Sequence, residues 1–363
     1  MKPDIVVAGH ICLDIIPELS LRHSNLGAVL EPGRLLEIGP AISSTGGAVA
    51  NVGLALHRLG VPVRLMGKIG DDPLGSALLN VLQANSNELA AGMIVSPGES
   101  TSYTVVLSPP GVDRIFLHHP GANATFTASD VPYEQLTGAR LFHFGYPPLM
   151  RSLYDDGGAG MKVLFRRVQE QGVATSLDMS LPDADSPAGQ VDWTAWLQRV
   201  LPHVDIFCPS FDEILFMLGW PAVEKPDAAL LRRIASQLLE MGVAAVAIKM
   251  GEWGLWVQVT QNAARLASIM SLPQLSQWRG REAYTPCFQI DVVGTTGAGD
   301  STIAGFLAGI VEGLPLQDAA TLATAVGACC CEGADASSGI PAREVVMARV
   351  QAGWPRQNGI ELY

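Results

Sequence analysis

The 363-residue chain is 48% hydrophobic and only 16% charged, a balance suited to a large buried core. Its formal net charge of −12 argues against a nucleic-acid or anionic-membrane surface, but leaves room for phosphate held at a helix terminus. No apolar run reaches transmembrane length, and Asp4, His10 and Asp14 break up the first apolar stretch, so no signal sequence is read and a cytoplasmic protein is expected.

Asp4–Gly9 is a short β-branched run ended by glycine, and predicts a buried strand. Pro17, Pro32, Gly33 and Pro40 mark the next stretch, up to about Ala41, as a loop or short edge strands outside the core. Gly46-Gly47 then opens a helix with Val49, Val52, Leu56 and Leu59 on one face, closed by Gly60. Pro62–Met66 predicts a strand and Leu74–Ala84 a helix. Tyr103–Leu107 and Arg114–His118 flank Pro109-Pro-Gly-Val-Asp113 as a hairpin, which could pair with the early irregular segment in a small accessory sheet.

Alternation of strand and helix then resumes. Arg140–Phe144, Ala174–Asp178, Val204–Cys208 and Ala245–Lys249 predict strands, and Leu231, Ile234, Leu238 and Met241 share one helical face. Thr260–Arg281 is polar and predicts a surface excursion. The rhythm implies a mostly parallel sheet covered by helices on both sides, with ligands at the strand C-terminal ends. Asp14, Asp178, Ser210 and Asp300 fall at or just beyond such ends. The cysteines, isolated except for Cys329-Cys330-Cys331, read as free thiols.

Asp291–Val311 carries the most chemistry. It predicts a strand end, a small-residue turn at Gly297-Ala298-Gly299, and an amphipathic helix with Ile303, Phe306, Leu307, Ile310 and Val311 on one face. The turn lies where a helix N-terminus leaves N–H groups unpaired, a natural seat for phosphate. Asp300 beside it is where a general base for an attacking hydroxyl would stand. Gly70-Asp-Asp-Pro-Leu-Gly75-Ser76 has phosphate-loop glycine spacing but lacks the lysine, and no dinucleotide fingerprint comes after the first strand. Taken singly, Asp14 is a turn residue, Gly46-Gly47 a helix-start loop and Asn51 an exposed helix position. Lys68 and Arg114, as single basic residues, read as solvated surface charges.

Taken together, these residues carry a resemblance. Asp291–Asp300 resembles the second signature of the ribokinase (PfkB) family of carbohydrate kinases, and Gly46–Gly60 its first. Gly67-Lys-Ile-Gly-Asp-Asp-Pro-Leu-Gly75 and Pro120-Gly-Ala-Asn123 match further family segments, in the right order and over essentially the whole chain. The resemblance implies one ribokinase-like α/β/α domain over residues 1–363, with a small β-sheet lid from about residues 11–41 and 101–121. It implies transfer of the ATP γ-phosphoryl to a hydroxymethyl group of a ribose- or fructose-like sugar. A nucleoside kinase and a non-catalytic sugar-binding regulator stay open as alternatives.

Carried over by position, the resemblance makes Asp300 the catalytic base and Gly297, Ala298 and Gly299 its anion hole. Asp14, Gly46, Gly47 and Asn51 would bind the sugar. Thr295, Thr296, Lys249 and Gly251 would border ATP, and Glu213 would serve Mg²⁺. Two positions depart from the family pattern. Gly294 stands in place of the aspartate that helps hold a monovalent cation, which puts a K⁺ requirement in question. Ser210 replaces the asparagine of the family's Asn-x-x-Glu, with Glu213 retained, so a rearranged metal shell is expected. The lid edges suggest a homodimer paired through the lid.

Overall fold

The computed structural model describes residues 2–20, 31–110 and 114–361. Its strands in chain order are β1 (Ile5–Gly9), β2 (Cys12–Pro17), β3 (Ala41–Gly46), β4 (Val63–Gly70), β5 (Ile94–Ser96), β6 (Tyr103–Leu107) and β7 (Ile115–His119). After these come β8 (Leu141–Gly145), β9 (Ala174–Leu177), β10 (Ile206–Phe207), β11 (Ala245–Lys249), β12 (Leu255–Val259) and β13 (Glu282–Thr285). Nine form one sheet in the order β13-β12-β11-β10-β9-β8-β1-β4-β5, and β3-β2-β6-β7 form a second.

The large sheet is parallel from β11 to β5, while β12 and β13 join its far edge antiparallel. β1 shows why its sequence is apolar without a break. Ile5 and Val7 face a core shared with the helices Ala48–Arg58, Ala298–Val311 and Leu316–Cys331. Val6 and Ala8 point the other way, toward the helices Ala159–Glu170, Trp193–Val200 and Ala228–Glu240. A strand buried on both faces must be hydrophobic at every position, and this gives the three-layer α/β/α architecture. Burial of each large apolar side chain contributes about 1.5–3 kcal/mol.

Several expectations are corrected. The stretch after His10 is not outside the core: Cys12–Pro17 is an interior strand of the small sheet, and Ile11, Cys12 and Leu13 are buried. Asn123 fixes this turn, donating to the Ile11 carbonyl at 2.8 Å and accepting from its N–H at 3.3 Å. The hairpin tip Gly111–Asp113 lies outside the described residues.

Thr260–Arg281 holds two short helices, Ala263–Leu266 and Leu272–Trp278. Leu266 and Trp278 are fully buried, and Trp278 lies 5.8 Å from Phe306, ring centroid to ring centroid. Its widely spaced apolar residues cap the main core although the segment is polar on average. Asp291-Val-Val293 is exposed and irregular, not a strand end. The helix Ala298–Val311 is buried nearly all round, between the helices Leu316–Cys331 and Ala48–Arg58, so its apolar side is not a single stripe. All six cysteines are free thiols. Among the described residues no helix is long and apolar enough to cross a membrane.

Candidate active site

The site begins at Gly297. Its φ of 75° is a left-handed value that glycine adopts without strain, and it turns the chain into the helix Ala298–Val311. A side chain there would also collide with Ala336, whose Cβ would lie 2.5 Å from an added Cβ. The first-turn N–H groups of this helix have no partner within the helix, and the dipole there is positive. Asp300 lies in that same first turn and is 2% exposed.

Three groups hold the Asp300 carboxylate. Asn51, on the helix that Gly47 opens, donates from Nδ2 to Oδ2 at 2.9 Å. The Tyr146 hydroxyl stands 2.9 and 2.8 Å from Oδ1 and Oδ2. Lys249 supplies a nearby positive charge. Burial raises the Asp300 pKa above its usual 3.8, and the Asn51, Lys249 and Tyr146 contributions act against that rise. Burial and the Asp300 charge raise the Tyr146 pKa well above 10, so its hydroxyl stays neutral and able to donate.

Lys249, at the end of β11, pairs with the fully buried Asp178 at 2.6 Å. Burial opposes its charge, but Asp178 and Glu213 outweigh burial and raise its pKa. Its Nζ would lie 3.8 Å from a Cβ added at Gly299, which places the ammonium over the loop. Ser210 caps the helix Phe211–Met217, and Glu213 closes the reciprocal box by accepting from the Ser210 N–H at 2.6 Å. One Glu213 oxygen is thus engaged by its own helix start.

A cavity of about 420 Å³ opens over these groups, lined by Tyr146, Glu213, Lys249, Gly251, Thr295 and Gly297–Asp300, with Phe288 and Ile290 on an apolar side. Polar groups converging at one end of an otherwise apolar cleft suit a nucleotide. Thr296 lies beside this cavity, where Arg114 from the start of β7 reaches both its hydroxyl and that of Thr295, the latter at 3.4 Å. Gly294 leans on the Gly333 carbonyl, 3.1 Å from where its Cβ would be, and Asp291 is exposed.

Asp14, Gly46 and Gly47 gather at the junction of the two sheets. Asp14, on β2, presses against Gly46, where an added Cβ would lie 2.4 Å from its Oδ2. His10 fills the corresponding space beside Gly47, whose φ is 85°. The two glycines are therefore required by the side chains packed on them. Burial raises the Asp14 pKa, against hydrogen bonds from Cys12 and Thr104. Burial, with His118 adding to it, lowers the His10 pKa to about 3. His10 in turn lies 6.2 Å from the Tyr146 ring, linking this group to Asp300.

Sequence reasoning therefore named residues that meet in two connected groups: Asn51, Asp300, Lys249, Glu213 and Gly297–Gly299 on one side, Asp14, Gly46 and Gly47 on the other. It missed Tyr146, whose signal was its place directly after β8. It also set Arg114 aside, although the fold brings it to Thr295 and Thr296. Lys68 is not a solvated charge: it is 5% exposed and pairs with Glu99 at 2.9 Å and Asp130 at 3.5 Å.

Comparison with known proteins identifies the fold and the family. A curated sugar kinase of Archaeoglobus fulgidus with no assigned substrate is 25% identical over 79% of this chain and 98% of its own. Fructokinase-1 of Zea mays is 26% identical over 85% of this chain and 83% of its own. The fold matches Thermotoga maritima ribokinase at a TM-score of 0.69 and 19% identity, covering 96% and 99% of the two chains. It matches Arabidopsis thaliana ribokinase, solved with ribose and ATP, at 0.72 and 20% identity, covering 96% and 98%. The family description "pfkB family carbohydrate kinase" fits residues 3–343. A match of that extent leaves little of the chain outside it, and the protein belongs to the pfkB family of carbohydrate kinases, enzymes that use ATP.

Proposed function

We propose that this sugar kinase transfers the ATP γ-phosphoryl to a hydroxymethyl group of a ribose- or fructose-like sugar, with Asp300 as general base. The observation that carries the reading is the placement of Asp300. A buried carboxylate in the first turn of a helix, next to N–H groups that have no partner within the helix, is held by Asn51 from the helix behind Gly46-Gly47. The acceptor oxygen attacks the γ-phosphorus as the bond to the bridging oxygen of ADP breaks, and the hydroxyl proton passes to Asp300. The Gly297–Gly299 amides, with Lys249 and Arg114 nearby, stabilise charge on the transferring group. Asp14 and Asn51, with the Gly46-Gly47 backbone, orient the sugar.

The residues present fit Mg²⁺. Asp178 Oδ2 is buried with no hydrogen-bond partner among the described residues, and Glu213 keeps one oxygen outside its capping box; hard carboxylate oxygens of this kind suit the ion. When bound it would neutralise phosphate charge. Gly294 supplies no side-chain ligand for K⁺, so we expect little activation by that ion.

We further propose that the small sheet, whose strands come from residues 12–46 and 103–119, closes over the sugar as a lid of a single kinase domain. Ile42, Phe116 and Leu117 are exposed on it, and a second copy covering them would give a homodimer. The test is a panel of sugars and nucleosides with MgATP. A sugar should give the fastest ADP release, and Asp300→Asn should abolish it. Preference for a nucleoside would replace the acceptor assignment, and sugar binding without turnover would favour a regulator.

A further inference from the structure

We propose that His10, Cys12 and His118 form a binding site for a thiophilic divalent transition metal, zinc or its spectroscopic analogue cobalt, where β1, β2 and β7 meet. One ring nitrogen from each histidine and the Cys12 sulfur lie within 4.8 Å of one another. The two Nε2 atoms are 3.4 Å apart. Nitrogens bound tetrahedrally to zinc at about 2.0–2.1 Å stand roughly 3.3 Å apart, so the histidine pair already has the spacing of one edge of such a site. The sulfur needs to stand roughly 3.6 Å from each nitrogen, which is within reach of a small side-chain rotation.

The surroundings favour this use. Thr104 Oγ1 lies 3.6 Å from Cys12 Sγ and 3.0 Å from His118 Nδ1. Its single proton serves the Cys12 and Asp14 side, so its oxygen accepts from His118 in the Nδ1–H tautomer. That leaves the His118 Nε2 lone pair directed at His10, and the hydroxyl acts as the outer partner that fixes a ligand histidine. His10 is 2% exposed, and its Nδ1 has no partner among the described residues. A thiol with two imidazoles selects soft or borderline metals over Mg²⁺. Access is through His118, which is exposed. Binding forms a metal–sulfur bond and releases the Cys12 thiol proton to solvent, with water in the fourth position.

The site also touches the acceptor end. Cys12 Sγ donates to Asp14 Oδ1 at 3.3 Å, a bond that metal binding removes. If Asp14 grips the sugar, which rests on the function proposed above, a bound metal should hinder sugar entry.

The test titrates metal-stripped full-length protein with cobalt(II) chloride alone and reads its absorption spectrum, which requires no turnover. Visible bands of a tetrahedral site and a thiolate-to-cobalt charge-transfer band are expected, and zinc should displace both. Cys12→Ser should remove the charge-transfer band, and Thr104→Val should weaken binding about 10–100-fold. His118→Ala changes an exposed strand residue and should abolish the tetrahedral bands with the circular dichroism unchanged, which keeps the test open if Cys12→Ser does not fold. A missing charge-transfer band, or one that survives in His118→Ala or Cys12→Ser, would overturn the site. Zinc that fills the site should raise the acceptor KM without lowering kcat; an unchanged KM would overturn the link to Asp14 alone.

Discussion

Asn51 and Asp300, 249 residues apart in the chain, meet in a buried hydrogen bond of 2.9 Å. This contact ties the helix behind Gly46-Gly47 to the helix behind Gly297–Gly299, and so joins the two groups of the site. A hydrogen bond to a charged group contributes about 1.5–3 kcal/mol. Asn51→Ala should therefore lower stability by roughly that amount in urea or thermal unfolding. It should also leave the Asp300 carboxylate less favoured, moving the acidic limb of the kcat/KM profile to higher pH. An unmoved limb would show that Asn51 does not tune the base.

Tyr146 acts on the same carboxylate from the other side. Its φ of 65° is the only positive value on a non-glycine residue among those described, and such strain persists where surrounding structure enforces it. Here the enforced position aims the hydroxyl at Asp300. Tyr146→Phe keeps the ring and removes the donor. We expect kcat/KM at neutral pH to fall about tenfold, the loss of one charge-assisted bond, and the acidic limb to shift upward. A change in KM for the sugar with no movement of the limb would assign Tyr146 to acceptor binding.

Asp300 should trade stability for activity. Its folded pKa is raised above 3.8, chiefly by burial. A carboxyl raised in this way contributes stability below its unfolded pKa, and that contribution is lost as pH rises through the folded value. At neutral pH the ionised group is therefore a cost to the fold. Asp300→Asn should melt higher than the wild-type protein at pH 7, with the gap closing toward pH 3.8, while turnover falls by about 10²–10⁴ or more. Calorimetry at both pH values, beside an ADP-release assay, checks the pair of outcomes.

How much of the molecule is legible in its sequence depends on how local each signal is. β1, the helix after Gly47 and β11 announce themselves through periodicity within a few residues. Gly297–Asp300 is legible because a helix N-terminus is a local feature with a fixed chemistry. Tyr146 is not, because an aromatic residue in Phe144-Gly-Tyr-Pro-Pro148 reads as core until the fold turns its hydroxyl toward a carboxylate 154 positions away. The buried role of Trp278 was hidden by the polar residues around it, and β2 by the prolines after it. Lys68 looked solvated because its partners Glu99 and Asp130 come from distant segments.

Arg114 is the strongest case of a non-local role. From the small sheet it reaches Thr295 and Thr296 across about 180 positions. A guanidinium held there can meet phosphate oxygens with two parallel donors, which lysine cannot reproduce. Arg114→Ala should reduce kcat/KM for ATP about 10–100-fold, roughly one charge-assisted contact or two. Arg114→Lys should recover little of it. Full recovery by lysine would reduce the role of Arg114 to general positive charge.

Gly297 and Gly299 sit two residues apart in the same loop and should respond differently to alanine. At Gly297 the backbone φ of 75° is unfavourable for any residue with a Cβ, and the new methyl would meet Ala336 Cβ at 2.5 Å. Gly297→Ala should therefore cost about 1–3 kcal/mol of stability through strain, with the turn displaced and turnover lost together. At Gly299 the nearest atom to an added Cβ is Lys249 Cδ at 3.7 Å, an ordinary contact, and the backbone is helical. Gly299→Ala should leave the melting temperature within a degree or two, since alanine is the better helix former. The methyl would instead stand beside the Lys249 ammonium at the helix N-terminus, where the proposed mechanism requires a phosphoryl group to approach the backbone closely. A raised KM for ATP with unchanged stability is the expected result for Gly299→Ala, and lost stability with lost turnover for Gly297→Ala. Equal effects of the two substitutions on stability would show that the loop geometry, not access to its amides, governs both positions.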